Sequence, residues 1–458
     1  MTSRMTFHAF TEFGWADGDH GLWRYPELIP PRQHDELDFW IEMAKVAERG
    51  VLDTMFFADA VGMGGFTAAD RAAEVREGRM LLWDPAVLIP VLAKFTEHLG
   101  FLFTNSILQD HPFAFARRVS TLDHLTHGRV GWNIVTSYSP NAARNFGLDE
   151  LPPREERYAW ADEYARAVYA LWEGSWEEGA AVRDAATGMF VDPDLVHPVD
   201  FAGERYRIQG PHLTEPTPQR TPVLLQAGGS VPGRSFAARH AELHFLASAS
   251  EEKLAADIAA VRALAVQAGR PAQDVKFVIS TGFIVGSTDE EARRLAADLD
   301  AHADRQDALA ATSSSIGIDL TALDPSTPIA DLPKSVGSGG MSGVLEAMLD
   351  RLPKDRVPTV ADLIGERMTR GYVIGGPERV ADQIQRWKQL GIDGVAIGMV
   401  QRPKSLVDFV DQVIPVLQQR GLAQREYGPG TLRHKLMGYG DRLPGTHPAA
   451  AFRRPAGP

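Results

Sequence analysis

The chain has 458 residues, 44% of them hydrophobic and 23% charged, with 47 Lys and Arg against 60 Asp and Glu for a net charge of −13. That length buries a large core without staples, and the acidic balance argues against a nucleic-acid binder or a basic membrane-surface protein, which need a positive footprint. Cysteine is absent from the sequence, which excludes disulfides, a thiolate nucleophile and Cys-ligated zinc or iron–sulfur sites.

The opening MTSRMTFHAFTEFGW has no apolar signal region, and no run approaches about 18 apolar residues, so the expected location is the cytoplasm, with no membrane span. From there, short and nearly continuous apolar runs alternate with amphipathic stretches. MTFHAFT (5–11) is the first run, and LDFWIEMAKVAER (37–49) reads as a helix that stops at Gly50, a C-cap residue. TMFFAD (54–59) is the second run, followed by a helix over 84–99 that begins with Asp84-Pro85, an N-cap and a first-turn proline. LGFLFTNS (99–106) and RVGWNIVT (129–136) are the third and fourth. The helix over 157–172 carries Tyr158, Ala161, Tyr164, Ala165, Val168 and Leu171 as an apolar stripe. PVLLQAG (222–228), LHFLAS (243–248), KFVISTGFIVG (276–286) and GVAIGM (394–399) complete the set, with a helix over 377–390 before the last.

Apolar runs without strict alternation belong to parallel strands buried on both faces. Strand and helix alternating eight times predicts an α/β fold, the TIM (β/α)8 barrel, with a doubly wound open sheet as the alternative. Residues 1–443 are expected to form one domain with two large insertions, near 174–220 and 303–358, where prolines and the stretches SSSIGIDL, DPSTP and GSGGMSG interrupt the pattern. The Pro-, Ala- and Arg-rich 444–458 reads as a flexible tail.

In such a barrel the active site lies at the C-terminal strand ends. That rule selects Phe10, Thr11, Asp59, Thr104 to Ser106, Asn133 to Ser137, Gln226 to Ser230 and Ala247. The set holds one carboxylate, no lysine and no histidine, which suits holding a cofactor better than hydrolysis. PVLLQAGGSVPG, a strand, a Gly-Gly-Ser turn and a helix start, makes Gln226, Ala227, Gly228, Gly229 and Ser230 a candidate phosphate cradle, although glycines also serve simply to shape a βα turn. Phe10, Phe13, His20 and Trp23 are candidates for an apolar substrate pocket or for a satellite core under the first loop.

Other spacings carry less. GGSVPG misses the nucleophile-elbow pattern by one residue, so a serine hydrolase is rejected. His240 and His244 are four apart, but the carboxylate between them is misplaced for a zincin, and no metal site is expected. His124 and His127 read as cationic caps at a helix end. GSGGMSG follows no strand, so it is a loop and not a dinucleotide fingerprint.

Taken together, GLWRYP (21–26), ERGVLDTMFFAD (48–59), FARRVSTLDHLTHGRVGWNIVTS (115–137), ARNFGLD (143–149), ERYAWADEY (156–164), LWEGSW (171–176), QAGGSVPGRSFAARHAE (226–242) and FVDQVIPVLQQRG (409–421) resemble the bacterial-luciferase-like flavin monooxygenases. Within them the likeness is to the branch of nitrilotriacetate, dibenzothiophene-sulfone, dimethyl-sulfide and long-chain-alkane monooxygenases, over about nine-tenths of the chain. The resemblance implies a two-component enzyme. A separate NADH:FMN reductase would supply reduced FMN, by transient contact or free diffusion, and this chain, as a homodimer or homotetramer, would use dioxygen to oxygenate a small apolar, organosulfur (sulfide or sulfone) or xenobiotic substrate.

It further implies that Asp59, Thr104, Asn133 and Ser137 surround the flavin ring, with Thr104 and Asn133 matching the positions that line the oxygen pocket and so being the catalytic candidates. Tyr158, Gly229 and Ser230 match the phosphate site, where Arg154 stands in place of the family's histidine. Asn105 and Gln109 are polar where less polar residues are usual, and Asn105 joins the substrate-pocket candidates. The cysteine of the alkane enzyme is missing, which lowers the weight of that substrate class. A deazaflavin- or flavin-dependent reductase on the same barrel, or a non-catalytic flavin-binding protein, is the competing reading.

Overall fold

Eight parallel strands form where the apolar runs lie: β1 (Thr6–Glu12), β2 (Thr54–Ala58), β3 (Gly100–Ser106), β4 (Val130–Val135), β5 (Val223–Gln226), β6 (Leu243–Ala247), β7 (Lys276–Val285) and β8 (Gly394–Gly398). The computed structural model describes residues 4–14, 22–26, 35–65, 68–247, 249–304 and 371–454, and parts of 309–369. Each strand pairs with its successor, and β8 pairs back onto β1 with Thr6 opposite Gly394, so the sheet closes. This is the expected TIM barrel. The open sheet is ruled out by the β6–β7 and β8–β1 ladders. A short strand, Val373–Gly375, adds in parallel to the end of β7.

Closure gives each strand an inner and an outer face. Phe56, Leu102, Leu225, Phe245, Val278 and Ala396 meet inside the barrel, and Leu432, Leu436 and Met437 pack with them from the helix Leu432–Met437. That helix sits at the barrel's foot. A Cβ on Gly100 would lie 2.5 Å from Leu432 Cδ1, and Lys276 Nζ donates to the Leu436 carbonyl at 2.6 Å. On that helix Arg433, fully buried, donates to both carboxylate oxygens of Glu242 at 2.7 and 3.0 Å.

The outer layer is helical. α1 (Leu37–Arg49) buries Trp40, Ile41, Met43, Ala44 and Ala47 on one face. Gly50 caps it with φ −73°, so the position needs space and not a left-handed turn: a Cβ would lie 2.7 Å from Val410 Cγ2. α2 (Ala68–Arg76) follows, and then α3 (Pro85–Lys94), where Asp84 accepts from the Ala86 N–H. α3 ends at Lys94, short of the expected 99, because the Glu48 carboxylate takes the N–H groups of Glu97, His98 and Leu99. Long α4 (Pro112–Leu125), short α5 (Pro140–Asn145) and long α6 (Arg154–Gly174) come next. α7 (Val231–His240) and α8 (Glu251–Gln267) follow β5 and β6.

The first insertion contains an antiparallel pair, Phe201–Ala202 with Arg207–Ile208. The second builds a small core of its own from Ile316, Ile318, Leu320, Leu352, Val360 and Leu363, and Asp350 fastens it to the barrel by accepting from the Ser250 N–H at 2.6 Å. GSGGMSG (337–343) lies outside the described residues. Residues up to 454 of the stretch expected as a flexible tail make packed contacts. His447 is buried against the His240 carbonyl, Pro448–Phe452 forms a 3-10 turn, and Arg453 Nε reaches Glu173 at 2.7 Å. Its apolar and basic side chains find partners there, which composition alone does not reveal. Among the described residues no helix is long and apolar enough to cross a membrane.

Candidate active site

A cavity of about 390 Å³ opens at the C-terminal ends of the strands. Its floor is aromatic: the ring centroids of Phe10 and Phe56 are 5.2 Å apart, and those of Phe56 and Phe245 are 4.9 Å apart. Asp59, Thr104, Asn133, Ser137, Arg154, Tyr158 and the run Gln226 to Ser230 all line it, so the structure brings together every residue proposed above for cofactor binding, and Phe10 from the substrate set.

Register explains the central pair. Thr104 on β3 is opposite Asn133 on β4, and both face inward, where Asn133 Nδ2 donates to Thr104 Oγ1 at 2.9 Å. Asn133 Oδ1 is buried with no partner. A second orphan lies nearby: Gln226 Nε2 donates to the Tyr158 hydroxyl at 3.1 Å, and Gln226 Oε1 is buried and unpaired. Buried acceptors left open are costly unless an incoming group satisfies them.

At one end the cavity is built for negative charge. Ser230 caps α7, its Oγ accepting from the Gly233 N–H at 3.2 Å, and the first turn of that helix faces the site. A Cβ on Gly228 would lie 2.2 Å from both Gln226 Nε2 and the Tyr158 hydroxyl, so any side chain there would displace one of those groups. Arg154 and Tyr158 come from the first turns of α6, and Arg234 and Lys253 stand behind them, each 3.2 Å from a carboxylate oxygen of Asp257.

Strand-end reasoning missed Arg157, Arg234, Lys253 and Asp257, which are supplied by helices. It also found no Arg or Lys at the strand ends, and the cavity's cations in fact arrive from outside the barrel. Arg157 had a readable signal, since positions 154, 157 and 158 share one face of a helix that starts after Pro153. Its guanidinium donates to the Ser137 carbonyl, and burial, with Arg154's like charge, pulls it down to about 10. Ser137 itself sits at φ +59° and its hydroxyl pairs with Ser106 at 2.8 Å.

Asp59 is half-buried at the end of β2. Loss of water pushes its carboxyl up to about 7, against the Ala60 N–H, and the charge of Asp84 adds to the shift. The loop that follows Asp59 packs on α5 to form a cavity wall: Asn141 Oδ1 accepts from the Met63 N–H at 2.9 Å, Asn145 Nδ2 donates to the Val61 carbonyl at 3.0 Å, and a Cβ on Gly62 would collide with Ala142.

Three substrate-pocket candidates lie elsewhere. Asn105 alternates outward between Thr104 and Ser106, and its Oδ1 accepts from Arg118 at 2.6 Å. Phe13 packs edge-on against Trp40 and Trp83, each at 5.2 Å. Trp23 is 40% exposed and donates to Glu77 at 2.7 Å, which places it in a satellite cluster and not in the cavity. His20 is outside the described residues. The His240 ring bonds Asp162 at 2.9 Å, a structural contact under α7.

A closed parallel barrel with an aromatic floor, neutral inward amides and an anion-ready helix start defines a (β/α)8-barrel enzyme. The chain belongs to the luciferase-like monooxygenase family, whose pattern it matches over residues 7–394. It is 39% identical to the dimethyl-sulfide monooxygenase of Hyphomicrobium sulfonivorans, over 99% of this chain and 94% of that one. It is 38% identical to the long-chain alkane monooxygenase of Geobacillus thermodenitrificans, over 99% of each. A riboflavin lyase, solved with modified FMN and riboflavin, superposes with a TM-score of 0.90 at 34% identity, covering 99% of this chain and 100% of that one. The protein is thus an enzyme of the flavin-dependent monooxygenase class.

Proposed function

We propose that the protein is the oxygenase component of a two-component system, taking reduced FMN from a separate NADH-dependent reductase and oxygenating a small, uncharged apolar or organosulfur substrate. The observation that carries this reading is the polarity of the cavity: Phe10, Phe56 and Phe245 form its floor, while Arg154, Arg234 and Lys253 are gathered at the end where Ser230 starts α7. The residues fit the cofactor. Gly228 lets the Gln226 amide and the Tyr158 hydroxyl close against the turn, and Asn133 Oδ1 and Gln226 Oε1 are buried acceptors awaiting a donor.

Tyr158, Ser230 and Arg154 would hold the phosphate, with Arg154 able to do so bidentately. Asp59, Thr104, Asn133 and Ser137 would surround the ring. When bound, reduced FMN supplies the two electrons that reduce dioxygen. Thr104 fixes the Asn133 amide in one orientation, so that it meets developing charge without reorganising. The aromatic floor keeps water from the reacting atoms and leaves an apolar space for the substrate.

Anaerobic titration tests the reading, followed by a substrate screen with FMN, NADH and a generic reductase, read by mass spectrometry. FMN is expected to bind more tightly than FAD, and NADH to be consumed only when the reductase is present. Equal affinity for FAD, or NADH oxidation by this chain alone, overturns it.

A further inference from the structure

Monooxygenation has a proton balance. Substrate, O2, reduced FMN as its monoanion and one proton give oxygenated substrate, oxidised FMN and water. One oxygen bonds to the substrate, the O–O bond breaks, two electrons come from the cofactor, and the second oxygen leaves as water. One proton has to be handed in from the protein or the solvent, at a site whose floor is built to exclude solvent.

Few groups on the cavity wall can hand it over. Guanidinium groups keep their protons near neutrality, which removes Arg154, Arg157 and Arg234. Lys253 shares Asp257 with Arg234 at the phosphate end. The Tyr138 phenol is pushed up to about 12 and the Tyr158 phenol is raised, both chiefly by burial. His8 bonds Thr6 and Thr54 inside the barrel and does not line the cavity.

Asp59 differs from all of these. It lines the same cavity as Phe10, Phe56 and Ala58, at the end of β2. Among the described residues no cation pairs with it: the Ala60 N–H favours its charged form, and the charged group that acts on it from a neighbouring element is Asp84 at the start of α3, which repels. The remaining charges on the wall, from α6, α7 and α8, belong to the phosphate end.

We propose that Asp59 is the carboxylic acid that delivers the proton for water formation, from an apolar cavity end where no described residue offers it a cation. The proposal rests on the monooxygenase reading of the site. It gives Asp59 a role beyond contact with the cofactor, and a bound anionic cofactor adds like charge that works in the same direction.

The experiment uses the wild type with Asp59→Asn and Asp59→Glu. In the cofactor-free protein, infrared difference spectra are recorded across pH 5 to 9. A protonated-carboxyl C=O band titrating near pH 7 is expected in the wild type and in Asp59→Glu, and not in Asp59→Asn. With cofactor loaded anaerobically and then exposed to O2 and substrate, the wild-type rate of product formation is expected to fall on the alkaline side. At saturating FMN, Asp59→Asn should be slower by about 10²-fold, as for loss of a positioned general acid, with a flat pH profile, and Asp59→Glu should restore the alkaline limb. Absence of a carboxyl titrating above pH 6 in the cofactor-free wild type, or a wild-type pH profile in Asp59→Asn, overturns the proposal. Failure of FMN to bind the wild type overturns the monooxygenase reading of the site instead, and the infrared band then still decides the state of Asp59.

Discussion

Asn133 donates to Thr104 across the β3–β4 ladder at 2.9 Å, and that single bond fixes which way the amide faces, leaving its oxygen buried and unpaired. The open oxygen can accept from a ring N–H, and Nδ2 keeps a second hydrogen that can donate to developing charge, so the fixed amide is preorganised for both. Asn133→Ala is expected to lower product formed per flavin oxidised by about 10² to 10³, the usual worth of a donor aimed at developing charge, with a much smaller loss of flavin affinity. Thr104→Val should act through Asn133 and cost less, roughly tenfold. Stopped-flow reoxidation combined with product yield checks both. An unchanged yield with only weaker flavin binding would make Asn133 a scaffold residue.

Gly228→Ala puts a Cβ 2.2 Å from Gln226 Nε2 and from the Tyr158 hydroxyl, so the bond between those two side chains has to break or the loop has to move. Overpacking of this kind costs about 1–3 kcal/mol. FMN affinity is expected to fall at least tenfold while the helical circular dichroism is retained. Titration and a thermal melt on the same sample decide it.

Ser230 has two roles that substitution can separate. Its hydroxyl caps α7, and it lines the phosphate end of the cavity. Ser230→Ala should lose about 1 kcal/mol of stability with the cap and weaken FMN roughly ten- to a hundredfold, the worth of a hydrogen bond to a charged group. Ser230→Gly keeps most of the capping, so it should match Ala in affinity while melting close to wild type. Equal affinity in all three proteins would move the phosphate away from this turn.

The raised Asp59 carboxyl also makes a stability prediction. Its folded value of about 7 lies above the ordinary 3.8, so the folded state keeps a proton that the unfolded chain has released. Stability from this group is present at low pH and lost as pH rises through about 7. Asp59→Asn should therefore melt with wild type at pH 4 and above it at pH 8. Melts that differ by the same amount at both values would show that the carboxyl is not perturbed.

Glu242 and Arg433 are each fully buried and face each other at 2.7 Å, with Tyr439 also donating to Glu242. Removing one partner strands the other charge, a loss of about 3–5 kcal/mol. Glu242→Ala should lower the unfolding free energy from denaturant melts by that amount, whereas a double change to Glu242→Leu with Arg433→Met should recover much of it. A single variant as stable as wild type would contradict the assignment.

The eight strands were legible because burial on both faces writes each as an unbroken apolar run, and Asp84-Pro85 announced a helix by its capping chemistry. The end of that helix was not legible, because the Glu48 carboxylate that takes over at Glu97 belongs to another element. Phe10, Thr104 and Asn133 were found by the strand-end rule. Asn105 was misplaced because a rule naming a strand end does not say which of two neighbouring side chains turns inward. Arg234, Lys253 and Asp257 depend on how two helices lean toward each other, which no local pattern records.

The helix that stoppers the barrel's foot, Leu432–Met437, comes very late in a chain of 458 residues, after every strand it packs against. On a ribosome, then, the foot of the barrel stays unsealed until well after β8 has been made, with Leu102, Val223 and Leu243 open from below. Until that helix has been made, these apolar side chains stay open to association, the kind of exposure that makes incomplete chains prone to aggregate.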